Sequence, residues 1–71
     1  MSAMEALAEW LDGDPGRCVQ MLEGRLFWTV HLFWPHPTIP DCTAGPVEGK
    51  GPDRDSAVLA ALAVVEAGDQ R

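Results

Sequence analysis

The hydrophobic and polar positions alternate most clearly in the stretch LFWTVHLFW, which occupies positions 26 to 34. Successive side chains on a strand point to opposite faces, so the alternation predicts a strand whose even-numbered face is wholly apolar. The odd-numbered face carries Phe27 and Phe33 with His31 between them. Because one core covers one face of such a sheet, we expect the even face, with Trp28 at the centre of the core, to point inwards.

A second alternating stretch precedes this one. Residues 17–22, RCVQML, place Val19 on an apolar side, and Glu23-Gly24 follows them directly. A two-residue turn at Glu23-Gly24 would pair Val19 with Trp28. The pattern therefore predicts an antiparallel hairpin with residues 25–34, because the turn and the two faces select the same pairing.

The first residues carry the period of a short amphipathic helix. Ser2 and Glu5 match the S-x-x-E capping box, and residues 12–16, DGDPG, end the pattern. The apolar side chains recur at i, i+3, i+4 and i+7, and they are Met4, Leu7, Ala8 and Leu11.

A second helix is predicted near the end of the chain. Asp53 is a favourable N-cap residue, residues 57–65 are all apolar, and Gly68 is expected to end the helix. We expect a stripe on the sheet and a flatter side of small residues away from it. The stripe is Val58, Leu62 and Val65, and the small residues are Ala57, Ala60, Ala61 and Val64.

A third strand is predicted for residues 41–48, DCTAGPVE, after a proline-rich loop at residues 35–40. A glycine and a proline inside this strand place it at a sheet edge, and we interpret Gly49-x-Gly51 as a turn. The fold class is thus α+β: a small antiparallel sheet, built from the hairpin and a third edge strand, with N-terminal and C-terminal helices packed on one face. A single domain spanning residues 1–71 is the expected organisation.

The net charge and the length of the apolar runs limit the kinds of partner and the location that we expect. Eleven acidic residues against five basic ones give a net charge of −6, which disfavours binding to a phosphate backbone. The longest apolar run is far shorter than the roughly 20 residues that span a bilayer, so no membrane span is expected. The first residues lack the basic segment of a secretory signal. These features predict a cytoplasmic protein.

The residues able to carry chemistry do not form a recognisable catalytic or metal pattern. Cys18, Cys42, His31 and His36 are four possible zinc ligands, but they lack the usual close-spaced pairs. A nucleophilic arrangement could be drawn from Cys42, His31 and Asp41, as it could in any small protein with these residue types. We therefore expect reduced thiols and a protein that is not an enzyme, with no metal, cofactor or small-molecule substrate.

The stretch from Gly49 to Ala57, GKGPDRDSA, resembles the signature that opens the last helix of the double-stranded-RNA-binding domain, G-x-G-x-S-K-K-x-A-K. That family has the order helix, three strands, helix, so the resemblance implies the same topology here. The paired lysines that grip phosphates in the family correspond to Arg54 and Asp55, and the later lysine corresponds to Val58. The RNA-binding chemistry that the family uses is therefore missing.

Two further resemblances concern function. Residues 39–45, IPDCTAG, and Gly51-Pro52-Asp53 are similar to segments of HicB-like antitoxins, although residues 46–50 intervene and no DNA-binding element is appended. The chain also resembles small accessory proteins of phages and other mobile elements, which implies binding to a host protein and its inhibition.

Two candidate protein-binding surfaces follow from these patterns. The odd face of the hairpin would expose Phe27, His31 and Phe33 beside Gln20 and Leu22, and either a homodimer or a foreign protein would cover it. A homodimer would pack sheet against sheet or use the alanine side of the second helix. The acidic residues of the first helix would form a row that either imitates phosphates or is a solvated face, and they are Glu5, Glu9 and Asp12.

Overall fold

Two helices and three strands follow one another in the order α-β-β-β-α. The computed structural model describes residues 2–36, 38–39 and 41–69. The elements are α1 (Ala3–Asp12), β1 (Cys18–Glu23), β2 (Trp28–Pro35), β3 (Thr43–Gly51) and α2 (Arg54–Asp69). The predicted α+β class is confirmed. In the described part of the chain, neither helix combines the length and the hydrophobicity needed to cross a membrane.

The three strands form one antiparallel sheet in the order β1-β2-β3, which puts the predicted third strand at an edge. The hairpin forms, but the predicted pairing of Val19 with Trp28 is wrong, since Val19 lies opposite Leu32. Residues 24–27 make the connection, and the Gly24 amide donates to the Phe27 carbonyl oxygen at 3.0 Å. The register moves by four positions, an even number, so the side chains that lie in the strands keep their predicted faces. Residues 25–27, predicted as strand, lie in the connection, and Leu26, expected to point inwards, is 88% exposed.

The core lies between the even face of β2 and the helices. Val30 and Leu32, in the middle of β2, are completely buried. Trp28 packs against the core only in part, because it begins β2 and pairs with Glu23 at the end of β1, so the expectation that it is central is wrong. The buried apolar residues among those described are Ala3, Leu7, Val30, Leu32, Ala57, Val58, Ala61 and Val65.

Helix α1 begins as predicted, with the Ser2 hydroxyl accepting a hydrogen bond from the Glu5 amide at 3.2 Å. Its buried face differs from the prediction, since Met4 is 37% exposed and Ala8 is exposed. The helix packs against α2 rather than across the middle of the sheet, so only a narrow stripe is covered. That stripe consists of Ala3 and Leu7, extended by the partly buried Trp10 and Leu11.

Helix α2 lies on β3 and β2, and its N-cap is Asp53, whose Oδ1 accepts from the Ser56 amide at 2.8 Å. Ala57 and Ala61 face the sheet, contrary to the prediction that they point away from it. Gly49-x-Gly51 lies in β3 rather than in a turn, which lets the helix backbone approach the strand closely. The helix also runs one residue past Gly68, because a glycine in a last turn costs only about 1 kcal/mol.

Strand β3 occupies residues Thr43–Gly51 rather than 41–48, and it is irregular near its start. Leu32 pairs with Val47 while Trp34 pairs with Ala44, so β3 holds one residue more than β2 in this interval, next to a cis peptide bond before Pro46. In the proline-rich loop, positions 37 and 40 lie outside the described residues.

Candidate protein-binding surface

The face of the sheet opposite the helices carries a cluster of nine side chains, which we call the open face. Pro35 and Thr43, which pair at the far end of the sheet, continue the same side beyond this cluster. Alternation along the strands and the observed register bring residues of all three strands onto it, and no described helix or strand packs there. It consists of Cys18, Gln20 and Leu22 of β1, Thr29, His31 and Phe33 of β2, Glu48 and Lys50 of β3, and Phe27 at its border.

A small polar network runs from the middle strand of the open face to the edge strand β3. His31 Nε2 donates to Glu48 Oε2 at 3.0 Å, and Lys50 Nζ lies 3.4 Å from Glu48 Oε1. The hydrogen bond from His31, supported by the charge of Lys50, holds the pKa of Glu48 below its ordinary value. The Lys50 ammonium also lies 5.2 Å from the centroid of the Phe27 ring, in cation–π range.

Apolar side chains lie beside this network, on β1, on β2 and in the connection between them. Leu22 is 46% exposed and Phe27 is 43% exposed, while Phe33 is partly buried beside Cys18. Phe27 precedes β2 and reaches the open face from the connection, rather than projecting from a strand as expected. The surface is therefore amphipathic, with its apolar groups on β1, on β2 and in the connection between them, and its charges on the edge strand β3.

The structure brings together five of the residues selected from the sequence, namely Gln20, Leu22, Phe27, His31 and Phe33. Sequence reasoning missed the contribution of β3, because the predicted strand stopped at residue 48 and was not paired residue by residue. Alternation along residues 43–51 was the available signal, since it places Glu48 and Lys50 on one side.

The acidic residues of α1 form a separate surface. Glu5, Glu9 and Asp12 are exposed on the helical side of the molecule, so they do not adjoin the open face. Glu9 also lines a groove of about 360 Å³ between α1 and α2, together with Glu66 and the apolar residues Ala6, Trp10 and Leu62.

The candidate zinc ligands and the residues of the candidate nucleophilic arrangement make separate contacts. Both cysteines are free and exposed, and His36 Nδ1 accepts hydrogen bonds from the Thr38 and Ile39 amides at 3.2 and 3.0 Å. His31 bonds to Glu48 rather than to Asp41. Within residues 2–36, 38–39 and 41–69, no three His, Cys, Asp or Glu side chains gather as a metal site would require.

The start of α2 also bears on nucleic-acid binding. Arg54 and Asp55 are exposed there, with Arg54 Nε 3.8 Å from Asp55 Oδ1, so the positive charge is partly balanced within the chain. Val58, which stands where the RNA-binding family has a lysine, is completely buried in the core. This end of the helix therefore offers one cation where the family presents three.

Comparisons of the chain with protein-family models, with curated proteins and with solved structures gave no match.

Proposed function

We propose that this protein is a small, acidic, non-enzymatic protein-binding module that acts in the cytoplasm. The observation that carries the proposal is the open face, where Leu22 and Phe27 stay almost half exposed beside the partly buried Phe33. Aromatic side chains dominate the energetics of many protein interfaces, and His31 provides a polar centre among them. A contact surface for protein accounts for such side chains on the face that the helices leave uncovered.

More specifically, we propose that the chain is a mobile-element protein that binds and inhibits a host protein. The net charge of −6 favours a partner with a basic surface. The exposed carboxylates of Glu5, Glu9 and Asp12 would meet such a surface, as the phosphates of a nucleic acid would. The two surfaces lie on different sides of the molecule, so both can be used at once.

A nucleic-acid-binding domain is the second candidate, because the α-β-β-β-α topology is compatible with the double-stranded-RNA-binding fold. The charges at the start of α2 weigh against it, since Asp55 and the buried Val58 replace two phosphate-binding lysines. An antitoxin of the HicB-like kind is a third candidate, and a toxin gene directly beside this one would support it.

Affinity capture from the native host tests the proposal, with the wild-type chain, a Leu22→Asp/Phe27→Asp variant and a Glu5→Gln/Glu9→Gln variant as baits. We expect a specific host protein to be captured by the wild type and lost with at least one of these variants. Leu59→Asp is the matched control, because Leu59 is 53% exposed on α2, away from both surfaces. Capture that no variant alters would contradict the assignment of the surfaces.

A titration with duplex RNA and duplex DNA separates the two leading candidates. The protein-binding proposal predicts no binding at micromolar concentrations. Salt-sensitive micromolar binding to either duplex would instead support the nucleic-acid candidate, because counterion release makes such binding fall with salt.

A further inference from the structure

We propose that the open face binds a second copy of this chain, giving a two-fold symmetric dimer packed sheet against sheet. This dimer rests on the proposed function in one respect, namely that the open face is a contact surface for protein. The protein that covers it is a second copy of the chain. The acidic side of α1 stays outside such a dimer and remains accessible to a host protein.

Charge on the open face is self-complementary. A two-fold interface places a patch against its own copy, so a patch of one sign would repel itself. The chain as a whole is strongly acidic, but the open face carries Glu48 with Lys50 3.4 Å away and His31 3.0 Å away. Both residues lie on the edge strand β3, so Lys50 of one protomer meets Glu48 of its partner when the two-fold axis passes close to β3. The reverse contact then forms at the same time.

Burial of the apolar side chains on the open face supplies the driving force for dimer formation. Leu22 and Phe27 are 46% and 43% exposed, and Phe33 adds a partly buried ring. Two antiparallel sheets pack face to face at about 10 Å, which encloses side chains of this size. Association would remove these groups from water without bringing the acidic α1 helices together.

The exposed apolar surface of α2 does not carry self-complementary charges. Leu59 and Val64 of α2 are 53% and 49% exposed. Asp55 lies four residues before Leu59 and Glu66 lies seven after it, so both carboxylates share its side of the helix. Antiparallel pairing of two α2 helices would bring these like charges together, which disfavours that arrangement.

The size of the open face sets the expected affinity. It is three strands wide, and β1 contributes six residues to the pairing. At about 4.8 Å between strands and 3.3 Å per residue, it measures roughly 14 by 20 Å, or about 300 Å² per protomer. This is well below the roughly 800 Å² per partner of a standard interface, so the dimer is expected to be weak and transient. We expect a dissociation constant on the order of 0.1–1 mM.

Sedimentation equilibrium of the purified chain, from about 5 μM to 1 mM, measures this association. The wild-type mass should rise from 7.7 kDa towards twice that value. Leu22→Asp/Phe27→Asp should stay monomeric and keep the wild-type circular dichroism spectrum, while Leu59→Asp should dimerise like the wild type. A mass of 7.7 kDa throughout the range would overturn the inference.

A charge-mixing experiment tests the geometry. Lys50→Glu leaves only acidic charges on the β3 side of the open face, and Glu48→Lys leaves only basic ones. Each variant alone should associate at least ten-fold more weakly than the wild type, and an equimolar mixture should recover the dimer. If both variants dimerise alone as the wild type does, the open face is not the dimer interface.

The two proposals fail separately. A dimer that captures no host protein would contradict the proposed inhibitor and leave this inference intact. A strictly monomeric chain that captures a host protein through Leu22 and Phe27 would overturn the inference while supporting the proposed function.

Discussion

Gly49 of β3 lies directly against the backbone of Ala61 in α2. A Cβ atom added to Gly49 would fall against the Ala61 amide nitrogen, 2.7 Å from the Ala61 Cα and 2.5 Å from the Ala57 carbonyl oxygen. Ala57 and Ala61 are themselves completely buried. Three small residues thus allow the helix and the edge strand to approach backbone to backbone.

Gly49→Ala should destabilise the protein by about 3 kcal/mol or more, because rigid backbone atoms surround the site and overpacking forces the helix to move. Urea denaturation measures the loss. Gly13→Ala is the control, since an added Cβ there meets the flexible end of Arg17 at 2.6 Å and Gly13 already has right-handed helical angles. The Arg17 side chain can move at the loss of its contacts with Trp10, so the control should cost no more than about 1 kcal/mol and far less than Gly49→Ala. Equal losses of stability for the two substitutions would contradict the close approach of the α2 backbone to β3.

Leu32→Ala should be more damaging than Trp28→Ala, although tryptophan is the larger side chain. Leu32 is completely buried at the centre of β2, so its truncation leaves a cavity and should cost roughly 2–5 kcal/mol. Trp28 is only partly buried at the strand end, where neighbouring side chains and water can fill the space. Thermal melts of the two variants give the order, and a lower melting temperature for Trp28→Ala would show that Trp28 is the central residue after all.

The faces of the hairpin could be predicted from the sequence, but its register could not. Alternation has a period of two, so it assigns Val19 and Leu32 to the same side and cannot detect a shift by an even number of residues. Glu23-Gly24 fits a two-residue turn locally, yet the observed connection closes between Gly24 and Phe27. Packing of Val30 and Leu32 under the helices selects the longer connection, and that is a tertiary effect.

Stability should depend on pH through Asp53. The Ser56 amide, 2.8 Å from Asp53 Oδ1, holds the pKa of this carboxyl below its ordinary value of 3.8. A group whose pKa is lowered by folding stabilises the folded state above its unfolded pKa, and this contribution is lost as pH falls through the folded pKa. The capping interaction should therefore be fully present at neutral pH and should weaken below about pH 4.

Asp53→Asn isolates this effect, because asparagine caps helices about as well as aspartate but does not titrate in this range. Urea midpoints at neutral pH and near pH 2.5 should fall further for the wild type than for the variant. Glu48, whose pKa is also lowered, contributes equally to both proteins. An identical fall in the two proteins would show that Asp53 titrates as it does in the unfolded chain.

Arg17 should join α1 to the sheet through Trp10. The guanidinium carbon lies 4.8 Å from the centroid of the indole ring, and one terminal nitrogen donates to the Trp10 carbonyl oxygen at 2.7 Å. Arg17→Lys keeps the charge but loses the planar stacking group, so it should cost about 1 kcal/mol in urea denaturation. Arg25→Lys, in the exposed connection after β1, is the matched control and should be neutral.

Part of the candidate surface could likewise be predicted and part could not. Gln20, Leu22, His31 and Phe33 follow from alternation alone. Whether Glu48 and Lys50 both lie beside His31 depends on whether Gly49-x-Gly51 forms a turn or part of a strand. Glycine is compatible with a turn and also with a strand against which another backbone packs. Only the approach of α2 decides between these, and local sequence does not encode it. Once β3 extends to Gly51, Glu48 and Lys50 fall on the same side as His31.

The packing of α2 has a consequence for how the chain folds during synthesis. This helix comes after all three strands, yet it supplies Ala57, Val58, Ala61 and Val65 to the core. A ribosome adds roughly 5–20 residues per second, so the finished hairpin must wait for a few seconds with Val30 and Leu32 in water. Isolated hairpins are marginally stable at best. We therefore expect folding to complete only after α2 has left the ribosome, which makes the nascent strands a natural client for chaperones that hold exposed apolar segments.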